Sequence, residues 1–467
     1  MGTLNGTRGN HPIGDRAVVV GASMAGLSAA RVLADRFGEV VVVDRDRLDG
    51  DDPRGQVPQG RHPHLLLVAG ARLLERWFPG LGEELEAGGA RPVDICRDIS
   101  WYQSGGVQRR PASALCGPSM SRPFLEATVR RRVEAIPNVT FRRETAVEGL
   151  DTDDERTRIT GVRLGDGSTL TSNLVVDATG RPARSLAWIE ALGYEPPPTS
   201  MVHVDTRYVS RVFRRTDDPA RDWEAAAAIG DPASKRLAMA LPIEGNRWIV
   251  MLGGLNGESP PTDDADMLAY ARSLGSPTVA DIIEASDPIG PPATHRFPAN
   301  QRRHVERLRR YPTGWVLLGD AVCSFDPIYG QGMTSAAMQA AVLGETLDRA
   351  GGIDRAFARA YFRKASRVVK DPWSIAVGGD FAYEGTTGKK PPGTDLFNRY
   401  FERIAVASQH DDAVVIRTNE VLTLTRGSGA LLTPPFVLRV LRKSRRGPAD
   451  SPVRPPPHAD EEISPVD

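Results

Sequence analysis

Segment 21–26, GASMAG, stands between a short apolar run, residues 17–20, and a stretch of helical pattern, residues 27–37. Glycines so spaced let the chain turn tightly out of a strand, admit a pyrophosphate, and pack the next helix close to the strand. Ser23 takes the middle place, where its small side chain leaves room for a phosphate and adds a hydroxyl donor. Asp44 follows the next apolar run, residues 40–43, and an acid there accepts hydrogen bonds from ribose hydroxyls. Two later segments again place a small-residue turn directly after a buried strand: VVDATGR at 175–181, with Asp177 and Gly180, and WVLLGDA at 315–321, with Gly319 and Asp320. Open α/β sheets bind their ligands at that edge. Gly330, Gln331 and Gly332 then open a helix reaching about residue 349, with Ala336, Ala340 and Gly344 on one close-packed stripe. Its N-terminal N–H groups and positive dipole end are free to face something anionic.

Other residue types direct the reading away from rival chemistries. His62 and His64 are one residue apart, but no further ligands cluster with them, and in an extended chain their rings point to opposite sides. No metal is expected. The three cysteines, Cys96, Cys116 and Cys323, are far apart and odd in number, which points to a reducing cytoplasm rather than a disulfide framework. No nucleophile elbow or P-loop accompanies these motifs. The basic stretch 439–446 reads as a solvated helix end.

These motifs must be held by a sizeable scaffold. The chain has 467 residues, 40% of them hydrophobic and 25% charged, enough for two or three domains with full cores. Lys plus Arg (59) balances Asp plus Glu (59), so no overall field recruits nucleic acid or an anionic membrane. No stretch approaches the ~20 apolar residues of a membrane span. Strand–helix–strand patterning around GASMAG, a hairpin across Asp166 and Gly167, and a strand at 174–176 give an α/β Rossmann-like domain. Mixed strands, including 237–241 and 248–252, form an inserted mixed-sheet substrate domain, and a C-terminal helical region follows. The expected division is a disordered tail at 1–15, the nucleotide domain at 16–90, 118–187 and 296–350, the substrate domain at 91–117 and 188–295, helices at 351–442, and a disordered tail at 443–467.

The fingerprint at 21–26, the internal DATG and the late GDA, in that order, resemble the FAD-dependent monooxygenases of the p-hydroxybenzoate hydroxylase and squalene epoxidase type. The resemblance runs from Arg16 to about Ala350. Segment 53–64 (PRGQVPQGRHPH), Ser121-Arg122, segment 241–250 (LPIEGNRWIV) and segment 319–333 (GDAVCSFDPIYGQGM) narrow it to the branch with the polyene epoxidases of bacterial polyether antibiotic pathways. By position, it implies that Gly21, Ser23 and Gly26 cradle the FAD pyrophosphate, Asp44 the adenosine ribose, Arg54 and Arg122 the phosphates or ribityl chain, and Asp320 the ribityl hydroxyls. Met24, Ala25, Arg45, Gln59, Gly180, Gly319, Pro327, Gly330, Gln331, Gly332 and Met333 complete the implied cofactor shell. Gln59, His62, His64, Pro327 and Tyr329 are implied nearest the reacting atoms.

The implied reaction uses NAD(P)H, bound transiently or acting through a separate flavin reductase, to reduce the flavin. O2 adds at C4a, and the distal oxygen passes to an alkene or an electron-rich ring. The substrate class is a small apolar polyketide, terpene or aromatic intermediate. Residues 253–257 contain glycines without the helix that a second dinucleotide site needs. Phe325, Ile328 and Tyr329 with the strand at 248–250 offer an apolar wall, and no buried acid–base pair is evident, which sets epoxidation ahead of aromatic hydroxylation. Two other readings share the nucleotide fold: an FAD-dependent reductase of isoprenoid double bonds, and a flavin-dependent halogenase, whose WxWxIP motif is absent here.

Overall fold

The computed structural model describes residues 12–50, 54, 58–216, 218–219 and 221–449, apart from the side chains of Pro58 and Gln59. The tails expected at 1–15 and 443–467 lie largely outside these residues. Where they are described, the strand Gly14–Val20 already begins at residue 14, and a short 3-10 turn, Ser444–Arg446, follows the last helix.

Five parallel strands form the nucleotide sheet in the order Trp315–Leu317, Leu174–Asp177, Gly14–Val20, Phe37–Val43, Val139–Arg142. They read as unbroken apolar runs because both faces are covered. Their register places Val20 beside both Val43 and Asp177, and Asp177 beside Leu317. The turns that follow, at Gly21, Asp44, Ala178 and Leu318, therefore emerge together at one sheet edge. The helix expected over 27–37 runs instead over Met24–Ala34, and Phe37 opens the second strand. Gly26 explains the shift: a Cβ there would overlap the Gly21 carbonyl oxygen, so only glycine lets the first helical turn start this close to the strand.

The hairpin across Asp166 and Gly167 joins Ile159–Leu164 to Thr169–Thr171 and, with Val147–Thr152, makes a three-stranded antiparallel sheet. The large mixed sheet carries the inserted region. Its long strands Thr199–Arg214 and Pro288–Arg303 pair antiparallel, flanked by Arg247–Gly254, Arg236–Ile243 and Ala225–Ile229, with Ile99–Gln103 parallel to the last. The division expected at residue 295 falls inside Pro288–Arg303, whose pairing continues to Arg303. Side chains alternate across this sheet. Phe213, Trp248, Val250 and Leu252 pack under the helices Asp264–Arg272 and Thr278–Glu284, while Tyr208, Met251 and Phe297 face Ile328 on the opposite side.

The helix Gly332–Ala350 and the helix Arg355–Val368, through Phe357, Tyr361 and Phe362, complete the main core. The helices Lys370–Asp380, Thr394–Ser408, Asp412–Leu422 and Pro434–Lys443 share a separate cluster built on Ile404, Val414, Phe436 and Val440. No helix among the described residues is long and apolar enough to cross a membrane.

The Gly26 contact predicts that Gly26→Ala separates helix from strand. Overpacking of this kind costs about 1–3 kcal/mol, and more where the clash is with backbone. Urea unfolding should report a loss of at least ~3 kcal/mol, whereas the same change at Gly429, which has open space around it, should leave the midpoint in place.

Candidate active site

Ser23 occupies the N-cap of Met24–Ala34 in extended backbone, yet its side chain does not cap the helix. Its hydroxyl donates to Glu126 Oε2 at 2.9 Å and accepts from the Arg122 guanidinium at 2.9 Å. The helix start is thereby left open to an acceptor from outside the chain. Met24 is buried beneath it, and a Cβ at Gly319 would press on the Ala25 methyl, so the late GDA turn packs directly against the first one.

Asp44 accepts from the Ala22 N–H at 2.6 Å and the Asp46 N–H at 2.9 Å, and pairs with Arg54 at 3.0 Å. A carboxylate has about four lone-pair sites, so one remains for a ribose hydroxyl. Arg54 also pairs with Asp46 at 2.9 Å and Glu126 at 2.6 Å. Burial opposes its charge, but Glu126, Asp44 and Asp46 together hold its pKa above the ordinary arginine value. Glu126 is almost fully buried; burial would neutralise it, and Arg122 and Arg54 outweigh burial and keep its pKa low. Arg45 is exposed beside Asp44, and the Gln59 side chain lies outside the described residues.

At the next turn, Asp177 is consumed internally. It accepts from Thr179 and from both the N–H and hydroxyl of Ser185, which in turn accepts from the buried Trp315 indole. Gly180, with φ +78° and open space around it, leaves the turn accessible. Asp320 makes no hydrogen bond among the described residues and stands in the fields of Arg122 and Arg181; burial raises its pKa against both. Asp326 caps the short turn Pro327–Tyr329, Gly330 follows in left-handed backbone, and Gln331 begins the helix without capping it. The Gln331 amide donates to the Leu422 carbonyl at 3.0 Å, but its buried Oε1 has no partner. A Cβ on Gly332 would meet nothing within 4 Å, and Met333 is buried behind it. Pro327 and Gly330 are both exposed.

His62 and His64 part as the extended spacing requires. His62 turns to the large sheet, its Nδ1 2.8 Å from Ser210 Oγ and its ring against His295 and Tyr208, and its buried Nε2 has no partner. His64 donates from Nδ1 to the His62 carbonyl at 2.8 Å and lies near Arg122 and Glu126. Burial, then His295, depresses His62 to about 4; burial, then Arg122, depresses His64 to about 3. Both rings are neutral at neutral pH. Among the described residues no group of three potential ligands could hold a metal ion.

The structure thus brings the four turns to one edge of the nucleotide sheet, joins Ser23, Arg54, Arg122 and Glu126 in one cluster near His64, and sets His62 and the Pro327–Tyr329 turn against the mixed sheet. Sequence reasoning passed over Glu126, although its place four residues after Arg122 on a helix was a usable signal. It also passed over Asp326, Asp380, Tyr208 and His295. The expectation that no buried acid–base pair exists is overturned: Asp326 and Asp380 are both fully buried and linked through Asn300.

These residues fit an FAD. The uncapped helix starts suit its anionic pyrophosphate and reduced ring, and the unpartnered Gln331 Oε1 and the space beside Gly332 suit a polar planar group. The depressed histidines also set a pH dependence. The unfolded chain takes up protons near 6.5 and the folded chain only near 4 and 3, so stability is present above pH 6.5 and is lost on acidification toward pH 4. Thermal melts should show that loss, and His62→Gln should reduce its slope by about one proton.

Comparison with known proteins agrees with this geometry. The model of the FAD binding domain family matches residues 16–370. Protein Rv3254 of Mycobacterium tuberculosis is 33% identical over 396 residues, covering 81% of this chain and 82% of that protein. Kynurenine 3-monooxygenase of Salinispora arenicola is 28% identical over 379 residues, 76% of this chain and 77% of that enzyme. Among solved structures, PqsL of Pseudomonas aeruginosa, described as a probable FAD-dependent monooxygenase, superposes with a TM-score of 0.57 at 22% identity, covering 80% of this chain and 99% of that one, a likeness of fold. The chain belongs to the FAD binding domain family, within its p-hydroxybenzoate hydroxylase-type group, and is an FAD-dependent monooxygenase.

Proposed function

We propose that this monooxygenase inserts one oxygen atom of O2 into a small, largely apolar secondary metabolite, a polyketide, terpene or aromatic intermediate, by epoxidation or ring hydroxylation. The observation that carries the reading is that Ile328, just before the open Gly330–Gly332 helix start, packs on a buried wall of Tyr208, Met251 and Phe297, with the neutral His62 ring against Tyr208. Bound FAD supplies the activation of O2. Ser23 and Arg122 would hold its phosphates at the turn that Gly26 closes against the strand, Asp44 its ribose, and Asp320 its polyol chain. The N–H groups at Gly332 and Met333 stabilise negative charge at the helix mouth. His62 Nε2, buried and without a partner, stands as a polar contact of an otherwise apolar wall, which orients substrate and excludes water.

The likeness of segments 53–64 and 319–333 to the polyether epoxidase branch supports a biosynthetic role. The ground for ranking epoxidation first, a missing acid–base pair, is removed by Asp326 and Asp380, so the two reactions stand level. Gly253 and Gly254 end the strand Arg247–Gly254 with no helix directly after them, which supports a nicotinamide that binds transiently or serves a separate reductase. Three free cysteines suit a reducing cytoplasm.

Incubation with 18O2, NADPH and a panel of apolar alkenes and phenols should give products carrying one labelled oxygen. Gain of two hydrogens without label would establish the isoprenoid-reductase reading instead. Gly332→Val should fold with unchanged stability, because its Cβ meets open space, yet hinder flavin reduction in stopped-flow measurements. Unchanged reduction would show that this helix does not face the flavin.

A further inference from the structure

Asp326 and Asp380 are each fully buried, and among the described residues neither has a cationic partner. They come from distant parts of the chain, the turn after Phe325 and the end of the helix Lys370–Asp380, and one side chain joins them. Asn300 accepts from the Asp326 N–H at 2.8 Å and donates to Asp380 Oδ2 at 2.5 Å. Asp326 accepts three hydrogen bonds, from the Tyr208 and Thr206 hydroxyls and from the Ile328 N–H at 3.1 Å. Asp380 accepts only two, the second from Tyr329 Oη at 3.1 Å. The Tyr329 contact is built for: a Cβ on Gly379 would overlap the phenol oxygen, so glycine there lets the tyrosine reach the carboxyl.

Two carboxylates without a cation in a dry interior cannot both remain ionised. The three donors favour the anion at Asp326, which leaves Asp380 to keep the proton. Burial raises both groups, and for Asp380 the Asp326 charge adds to it. The groups facing the pair are Thr206 and Tyr208 from one long strand, with His295 stacked on Tyr208; Asn300 from the other; Tyr329 from the turn; and Tyr383 beyond the helix. The tyrosines are all held protonated by burial first.

We propose that Asp380, with Asp326, stores one proton behind the Pro327–Tyr329 turn and delivers it through Tyr329 Oη to the cleft. The inference rests on the monooxygenase reading above. Oxygen insertion sends one atom of O2 to product and the other to water, consuming two electrons from the nicotinamide and one free proton. When Asp380 carries the proton, its contact with Tyr329 runs from Oδ1–H to Oη. Tyr329 takes that proton as its own hydroxyl proton leaves toward the cleft, so the tyrosine ends unchanged and the pair is one proton poorer. Repulsion between the two anions then draws a proton from solvent and resets the pair. Tyr329 is the group that joins the pair to the Pro327–Tyr329 turn, and Asp380 and Asp326 act through it as positioning residues.

Infrared spectra of the FAD-loaded protein at neutral pH should show the carbonyl stretch of a protonated carboxylic acid, displaced in D2O. It should vanish in Asp380→Asn and persist in Tyr329→Phe. Stability of the wild type should fall with a slope of one further proton as the pH rises above the unfolded carboxylate value of about 4, because the folded state holds a proton that the unfolded state releases. Asp380→Asn should remove that proton uptake. Both variants should retain FAD and slow turnover about tenfold or more, with a changed pH profile. No acid band in the wild type, or a band unaltered in Asp380→Asn, overturns the proposal. Should Asp380→Asn fail to fold, Asp326→Asn decides in its place: loss of the like charge should move the pH at which the band disappears downward, and complete loss of the band at every pH would place the proton on Asp326 and overturn the proposal. The band is read independently of product, so absence of 18O incorporation would count against the monooxygenase reading and leave the proton store to its own test.

Discussion

At residue 26 the first helix lies so near the strand it follows that one added methyl would overlap the carbonyl oxygen of Gly21. That approach fixes where the helix begins, and with it the direction of the free N–H groups at its mouth. The parallel register transmits the position outward. Because Val20 is level with Val43 and Asp177, and Asp177 with Leu317, each neighbouring turn reaches the same edge at the same height. Gly319 then presses against Ala25 from the far side, so the first and last motifs, nearly three hundred residues apart, become one wall. A single close packing contact thus sets the geometry of the sheet edge at which these turns meet.

Charge is arranged around that edge by burial rather than by number. Glu126, Asp44 and Asp46 all pair with Arg54, and Glu126 with Arg122 as well, so the buried Arg54 guanidinium stays charged among three acids. Breaking a buried pair of this kind leaves an uncompensated ion, which costs about 3–5 kcal/mol, so the cluster is rigid as well as polar. The chain's balanced net charge says nothing of this. It is a local construction at the crossing of the first helix, the helix Arg122–Glu134 and the segment around Arg54.

The nucleotide half was legible because its signals are local. A strand ending in glycines, an acid after the next strand and a DATG turn each identify themselves within ten residues, and parallel strands buried on both faces read as plain apolar runs. The helix start was misplaced by three residues because a glycine inside a helix resembles a break until its packing is seen. The substrate half was legible only in outline. Its sheet alternates, but what each face meets depends on pairings across almost a hundred residues, such as Thr206 with Phe297. Asp326 and Asp380 illustrate the limit: each looks like an ordinary helix-terminal acid, and only the tertiary fold brings them to the same asparagine.

Where the polar groups of the cleft are kept dry, the mixed sheet, the flavin-side turn and the C-terminal helices are tied by single side chains. Thr206 and Tyr208 hold the turn from one strand, Asn300 holds it from the next, and Tyr329 carries it to the helix Lys370–Asp380. A network in which every hydroxyl has a defined acceptor resists displacement, since moving one member strands a polar atom in an apolar surround. Two of the buried atoms left without a partner, His62 Nε2 and Gln331 Oε1, belong to residues beside that network, His62 through its ring contact with Tyr208 and Gln331 at the start of the helix that follows the Pro327–Tyr329 turn. Buried unpaired groups are costly, and in a native interior they persist where something else completes them. At the Gly332 helix start, where a side chain would meet only open space, the unpartnered Gln331 Oε1 is thus a polar atom still to be completed, next to a turn that the network holds rigid from three sides.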